Sequence, residues 1–196
     1  MRADPLDRLL AAYPPLRPAP QRDWAAFEER FGHRLPADYK AFVDAYGHAR
    51  FGEFLTVYVP DGVSQFVELD TQRAFAGLKA EYLLETEGEL VGTPDLPVHP
   101  RELLPVAGTA HGNSVYWHAS PGAAPDAWTI AVDQARGGAW SLFDGGIVAF
   151  LVAVFVDGLR VTAFPDRVDG RETPDASVSG GTGRPGTATC TPPPGG

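Results

Sequence analysis

The sequence predicts an α+β fold in which helices pack against a mostly antiparallel sheet. Two segments in its first third carry apolar side chains at helical spacing. Later segments are short, rich in β-branched and aromatic residues, and separated by turn-forming residues, which is typical of strands. Hydrophobic residues make up 44% and charged residues 21% of the 196-residue chain, so the composition is that of a globular domain.

The first of the two helical segments has a clear beginning and end. Trp24, Phe27 and Phe31 recur at i, i+3 and i+7, so they share one face of a helix. Asp23 precedes them, where its carboxylate can cap the first turn. Gly32 follows them, where a left-handed residue is favoured.

The second helical segment begins at Leu35-Pro36, because proline is tolerated in the first turn of a helix. It ends at Gly47. The same spacing recurs in four apolar residues: Tyr39, Phe42, Val43 and Tyr46. The sequence therefore predicts two short amphipathic helices that are joined tightly.

The middle and later parts of the chain mix strand and helix patterns. Residues 54–59 predict a strand that ends at a Pro-Asp-Gly turn. Residues 69–85 predict a helix that carries Phe75, Leu78 and Tyr82 on one face. Further strands are predicted at residues 103–106, 114–118, 128–132 and 140–143. The last three are closely spaced, which indicates an antiparallel meander.

The apolar run at residues 147–156 has two interpretations from its residues alone. Its β-branched and aromatic side chains favour a strand. The Asp144-Gly-Gly that precedes it favours the start of a buried helix. Periodicity does not separate the two, because every position is apolar.

Composition divides the chain into three parts. Residues 1–20 contain a brief helix-like segment and a proline-rich connector, and residues 21–164 form the predicted domain. Residues 165–196 contain no Leu, Ile, Phe, Trp or Tyr. Such a segment buries too little apolar surface to offset its loss of conformational entropy, so we expect a disordered Gly/Pro-rich tail.

Charge and cysteine content exclude several classes of protein. The formal net charge of −9 argues against binding to nucleic acid or to an anionic membrane. The single cysteine, Cys190, forms neither an internal disulfide nor a zinc-binding pair. The longest apolar run is far shorter than the roughly 20 residues that span a bilayer. We therefore expect a cytoplasmic protein.

The two predicted helices together carry the motif W-x-x-F-E-x-x-F-G-x-x-L-P-x-D-Y-K-x-F-x-x-x-Y-G. Its positions are occupied by Trp24, Phe27, Glu28, Phe31, Gly32, Leu35, Pro36, Asp38, Tyr39, Lys40, Phe42, Tyr46 and Gly47. This motif resembles the SUKH superfamily, which is named partly for a yeast cell-wall-synthesis regulator of the Smi/Knr type. The resemblance covers roughly residues 24–159 and implies one SUKH-like domain. It also implies that residues 146–157, with Phe150-Leu151, form a closing helix.

The resemblance implies a binding protein to which no catalytic residues are attached. Bacterial members of the superfamily are mostly immunity proteins, which bind and neutralise toxins, often nucleases. We therefore expect a non-catalytic immunity protein whose partner is a basic toxin domain. The alternative is an intracellular regulatory scaffold that binds endogenous proteins, as the fungal namesake does.

The histidines and acids do not predict a metal site or a catalytic site. His111 and His118 flank a predicted strand near Asp126 and Asp133, but their spacing of seven puts them on opposite faces. Cys190 has no histidine near it in sequence. We expect no metal, no cofactor and no enzymatic activity.

Acidic and aromatic residues are the candidates for contact with a protein partner. Glu85, Glu87 and Glu89 lie where the long helix ends, and an acidic patch there would steer a basic partner. The alternative interpretation is a solvated helix end. Two further acids, Glu53 and Asp61, lie beside the first strand.

Trp117 is the aromatic candidate in this set. Val115 and Trp117 lie on one face of their strand, and Tyr116 and His118 lie on the other. One face packs beneath the helices, and the other is free to present an aromatic anchor to a partner. The sequence does not decide which face is which.

Overall fold

Helices and an antiparallel sheet form the described part of the chain, residues 3–60, 62, 64–93, 96–135 and 139–165 of this computed structural model. The α-helices within these residues are α1 (Pro5–Ala12), α2 (Trp24–Phe31), α3 (Ala37–Tyr46), α4 (Leu69–Thr86) and α5 (Ile147–Phe155). The strands are β1 (Ala49–Phe51), β2 (Leu55–Val57), β3 (Val91–Thr93), β4 (Leu96–Val98), β5 (Leu103–Thr109), β6 (Ser114–His118), β7 (Thr129–Asp133) and β8 (Trp140–Phe143). The predicted α+β class with a single domain is confirmed.

The main sheet is antiparallel throughout, with strand order β1-β2-β5-β6-β7-β8. Tyr116 of β6 lies opposite Ala131 of β7, and Ala131 lies opposite Leu142 of β8. These three strands are the meander that the closely spaced segments predict. β3 and β4 pair with each other in a separate hairpin.

Four helices, α1, α2, α3 and α5, cover one face of the sheet and form the larger core with it. The sheet side chains that enter this core alternate along their strands: Val115, Trp117, Ile130 and Val132. The predicted caps of α2 are confirmed. Asp23 accepts a hydrogen bond from the Ala26 amide at 3.1 Å, and Gly32 has a left-handed φ of 78°.

The N-terminal segment belongs to this core as well. α1 packs against α5, and Leu9 of α1 is fully buried. The Tyr13 hydroxyl donates a hydrogen bond to the carbonyl of Phe155 at 3.1 Å. α1 and Tyr13 are therefore packed against the last helix of the domain.

The apolar run near the C-terminal end of the domain is the helix α5, as the family resemblance implies. Strand propensity does not decide its structure, because this helix is buried on most sides between the sheet, α1 and α3. Asp38 of α3 caps it by accepting a hydrogen bond from the Val148 amide at 3.1 Å. A Cβ at Gly146 would overlap this Asp38 carboxylate, so any larger residue there has to displace the cap.

The other face of the sheet is covered by α4 and by the β3–β4 hairpin. A smaller core lies between them, and its buried members are Leu83, Val91, Val98, Leu103, Tyr116, Ala131 and Trp140. Both faces of the central strands are therefore covered. The sequence patterns did not predict β1, β3 or β4, each of which is only three residues long.

Several sequence predictions fall outside the described residues. They are the contact role of Asp61 and, apart from Pro165, the disorder of residues 165–196. Within the part of the chain that the structure describes, no helix combines the length and the apolar character needed to cross a membrane.

Candidate functional site

The outer face of α4 carries a row of apolar side chains that point into solvent. Phe75, Leu78 and Tyr82 are 52%, 71% and 62% exposed. Their spacing of i, i+3 and i+7 places them on one side of the helix, and we call them the α4 stripe. Together they expose on the order of 300 Å² of mostly apolar surface, about the size of the largest patch on a typical monomer, and such patches are often functional.

The inner face of α4 is apolar too, and it is buried against the sheet. Leu69, Ala80 and Leu83 point inward, where Leu83 joins the smaller core. α4 therefore has two apolar faces, whereas a surface helix normally has a polar outer face. The sequence correctly groups Phe75, Leu78 and Tyr82 on one face, and the structure places that face in solvent.

Polar contacts hold α4 in place from beneath. The Lys79 ammonium contacts the Asp133 carboxylate of β7 and lies 5.8 Å from the centre of the Tyr116 ring. Burial alone would lower the pKa of Lys79, but Tyr116 and the bond to Asp133 outweigh it and raise the pKa above its ordinary value. The charged form of Lys79 is therefore favoured, and it ties α4 to the sheet.

Two ion pairs link α4 to its neighbours at the surface. Arg30 of α2 reaches Asp70 at 3.1 Å, and Arg101 reaches Glu81 at 3.1 Å. Arg73 lies over the Phe31 ring at 4.7 Å. Exposed pairs of this kind contribute little stability individually, so burial of the inner face of α4 and the Lys79–Asp133 pair are what hold the helix. The α4 stripe thus sits on a well-supported helix.

The C-terminal end of α4 is strongly acidic. Glu85, Glu87 and Glu89 are all exposed, and Glu87 is the C-cap residue of the helix. The last turn contains no basic residue. The C-terminal end of a helix already carries partial negative charge, so three carboxylates there do not stabilise the helix. We call these three residues the acidic end; Glu85 lies on the stripe side of α4, three residues after Tyr82, and the other two follow where the helix ends.

The sequence matches one protein family over about two thirds of its length. The sequence profile described as "SMI1 / KNR4 family (SUKH-1)" matches residues 18–144. The chain belongs to this family. No curated protein and no solved structure matches it. The matched range runs from before α2 to just past β8, so it includes the α4 stripe and the acidic end.

Domains of the SUKH-1 family are generally non-catalytic immunity or regulatory proteins. The family is associated with protein–protein interaction, including the binding of toxins. An exposed apolar stripe on the outer face of α4 is consistent with such a role, because protein interfaces have an apolar centre surrounded by polar groups.

The acid beside the first strands lies apart from this surface of the SUKH-1 domain. Glu53 is exposed on the β1–β2 turn, at one edge of the sheet, and has a left-handed φ of 52°. The chain that follows the acidic end enters β3, which packs against β8 at the other edge. Glu53 therefore lies at the edge of the sheet opposite to the one that the chain reaches after Glu89.

Trp117 requires a correction. It is fully buried in the larger core, with its ring centre 4.9 Å from that of Tyr39. The opposite face of β6 is covered too, because Tyr116 lies beneath α4. In this fold neither face of the strand presents an aromatic anchor to a partner. Trp117 is therefore a core residue, and the prediction that it contacts a partner is wrong.

Sequence reasoning missed the α4 stripe as a candidate site. The signal was present, since the helix carries apolar residues on two opposite sides: Leu69, Ala80 and Leu83 on one, and the stripe on the other. A helix that packs on a sheet buries only one of its own faces. A second apolar face on the same helix therefore indicates a surface that is available for binding.

The side chains of His118 and Asp133 both have polar partners in the structure. The His118 ring lies 3.1 Å from Glu102 and 3.2 Å from the Ser120 hydroxyl. Asp133 is engaged by Lys79. Among the described residues, no three His, Cys, Asp or Glu side chains are arranged to hold a metal ion.

A cavity of about 540 Å³ lies where the N-termini of α1, α3 and α5 meet. Its carboxylates are Asp4, Asp38 and Asp126. Each accepts a hydrogen bond from a backbone amide at the start of a helix. These acids are therefore helix caps, and burial raises the pKa of Asp38, with Asp126 adding to the effect.

Proposed function

We propose that this SUKH-1 protein is an immunity protein that binds a bacterial toxin domain and neutralises it without catalysis. The observation that carries the proposal is the α4 stripe beside the acidic end. Apolar surface of this extent is unfavourable in water, and a partner that covers it gains the free energy of its burial. A binding function explains why the outer face of α4 is not polar.

The proposed mechanism is steric. The toxin domain docks on α4, and the bulk of the immunity protein blocks access to the toxin's active site. Such a complex forms in the cytoplasm, where a toxin that has entered the cell meets its target.

Charge supports the choice of a basic toxin. The net charge of −9 and the acidic end attract a domain with a positive cleft, such as a nuclease. Electrostatic steering of this kind raises association rates by about 10- to 1000-fold and weakens with added salt. Fast association matters for an inhibitor that must act before the toxin does.

The test uses the full-length protein and the toxin domain encoded beside its gene. Co-expression is expected to restore growth of cells that make the toxin, and stopped-flow mixing is expected to show association that slows with salt. Glu85→Lys is expected to slow association more than Glu53→Lys, which makes the same change of charge at the other edge of the sheet.

Failure of the wild-type protein to bind or neutralise the toxin domain would refute the immunity function. In that case, capture of only the cell's own regulatory or envelope proteins, together with a growth or envelope defect in a deletion strain, would indicate the regulatory scaffold.

A further inference from the structure

We propose that the α4 stripe docks a basic amphipathic helix of the partner. The apolar side of that helix covers Phe75, Leu78 and Tyr82, and its lysines or arginines meet Glu85, Glu87 and Glu89. This inference rests on the protein-binding function proposed above and specifies which element of the partner is bound.

The backbone of α4 argues for a helix as the bound element. The amides and carbonyls along the stripe are engaged within the helix, so an extended segment has no free strand edge with which to pair. Affinity must therefore come from side chains. A row at i, i+3 and i+7 extends about 10 Å along α4, and the side-chain ridges of a second helix fit such a surface.

The charges around the stripe argue for a basic partner. Glu85 lies three residues after Tyr82, on the same side of α4 as the stripe. The other two carboxylates follow where α4 ends, so a basic helix lying along α4 brings its next turn near this end. Glu81 is engaged by Arg101, whereas Glu85, Glu87 and Glu89 are exposed beyond it. Cations placed opposite these carboxylates form complementary pairs at the rim of the interface.

The same charges argue against a second copy of this chain as the occupant. Parallel pairing of two α4 helices would bring two acidic ends together. Antiparallel pairing would place each acidic end near the first half of the other helix. There Arg73 lies over Phe31, and Asp70 adds a negative charge beside its partner Arg30. Parallel pairing therefore opposes like charges, and antiparallel pairing offers each acidic end only Arg73, which already lies over the Phe31 ring.

The experiment uses two synthetic helical peptides of about 18 residues, a length that covers the whole stripe. Both carry leucines at i, i+3, i+4 and i+7, and they differ only in having lysines or glutamates at the flanking positions. Fluorescence anisotropy at low salt measures their binding to the full-length protein. The lysine peptide is expected to bind at least about tenfold more tightly than the glutamate peptide.

Variants locate the binding surface. Leu78→Asp is expected to weaken binding of the lysine peptide by about tenfold or more, because a charge then enters the centre of the apolar contact. The matched control is Leu16→Asp, which changes a 54% exposed leucine in the segment between α1 and α2. Glu87→Lys is expected to weaken binding several-fold, and Glu53→Lys to change it less than about twofold. Circular dichroism verifies that each variant is folded.

Three results would overturn the inference. The first is no binding of the lysine peptide by the wild-type protein. The second is an equal loss of affinity in the Leu16 or Glu53 controls, which would indicate general attraction to an acidic protein. The third is a dimer in sedimentation experiments that Leu78→Asp dissociates, which would identify a second copy as the occupant.

The two proposals fail in different ways. If Leu78→Asp binds the toxin domain with unchanged affinity, the surface is wrong and the immunity function stands. If no toxin domain binds while the lysine peptide shows the expected pattern, the toxin assignment is wrong and the surface stands.

Discussion

Replacing Lys79 with methionine tests how α4 is held on the sheet. The Lys79 side chain is 31% exposed, whereas that of its partner Asp133 is only 7% exposed. Methionine keeps the apolar stem and removes the charge, which leaves the Asp133 carboxylate buried without its cation. Removing one partner of a buried pair costs about 3–5 kcal/mol, and partial access of water to Lys79 reduces our expectation to about 2–3 kcal/mol.

Replacing Asp133, the partner of Lys79, is expected to cost less stability. Asp133→Asn leaves the Lys79 ammonium able to turn toward water and keeps an oxygen that accepts a hydrogen bond, so we expect a loss of about 1 kcal/mol. In the double variant no buried charge remains unpaired. Its loss is therefore expected to be smaller than the sum of the single losses by about 1–2 kcal/mol.

Urea denaturation followed by tryptophan fluorescence measures the free energy of unfolding of all three variants, since the chain contains four tryptophans. If the free energy of unfolding falls with urea concentration at the same slope in every variant, the values describe the same unfolding reaction. Two results would refute the reasoning. One is a larger loss for Asp133→Asn than for Lys79→Met, and the other is strict additivity in the double variant.

Three further predictions concern stability and pH, each measured by urea denaturation. Asp38→Ala is expected to lower the free energy of unfolding by about 1–2 kcal/mol through loss of the α5 cap. Gly77→Ala, in open space on α4, is expected to raise it by about 0.5–1 kcal/mol, whereas Gly146→Ala lowers it through overlap with Asp38. Burial raises the pKa of Tyr58 to about 12. The neutral Tyr58 side chain therefore contributes fully to stability below about pH 10, and this contribution is lost as pH rises through the folded-state pKa. Tyr58→Phe is expected to make this loss of stability with pH less steep.

Each of these predictions has a contrary result. An Asp38→Ala protein as stable as the wild type would show that the Val148 amide finds another acceptor. Equal effects of alanine at Gly77 and Gly146 would contradict the steric argument. An unchanged decline of stability between pH 10 and pH 12 in Tyr58→Phe would assign that decline to other groups.

The sequence predicts most helices and the meander because their patterns are long and one-sided. Trp24, Phe27 and Phe31 mark one face of α2. Its capping residues, Asp23 and Gly32, are equally clear in the sequence. The strands β1, β3 and β4 escape such patterns because three residues are too few to show alternation. The helix α5 follows from family resemblance and not from its residues, since its sequence is apolar at every position.

The candidate surface was predicted only in part. Glu85, Glu87 and Glu89 are recognisable as a charge cluster, and their exposure is what a contact residue needs. Trp117 shows the limit of alternation, which assigns residues to faces but does not reveal that both faces are covered. The α4 stripe shows the same limit for helices, because the spacing of Phe75, Leu78 and Tyr82 is the same on an inner and an outer face.

The two apolar faces of α4 separate folding from recognition within one helix. In the docking mode we propose, substitutions at Phe75, Leu78 or Tyr82 change the contact with the partner and leave untouched the side chains that hold α4 to the sheet. Partner specificity can therefore diverge between relatives by a few changes on the outer face, without a compensating change in the core. The same arrangement gives protein engineers a helix on which new binding specificity can be selected.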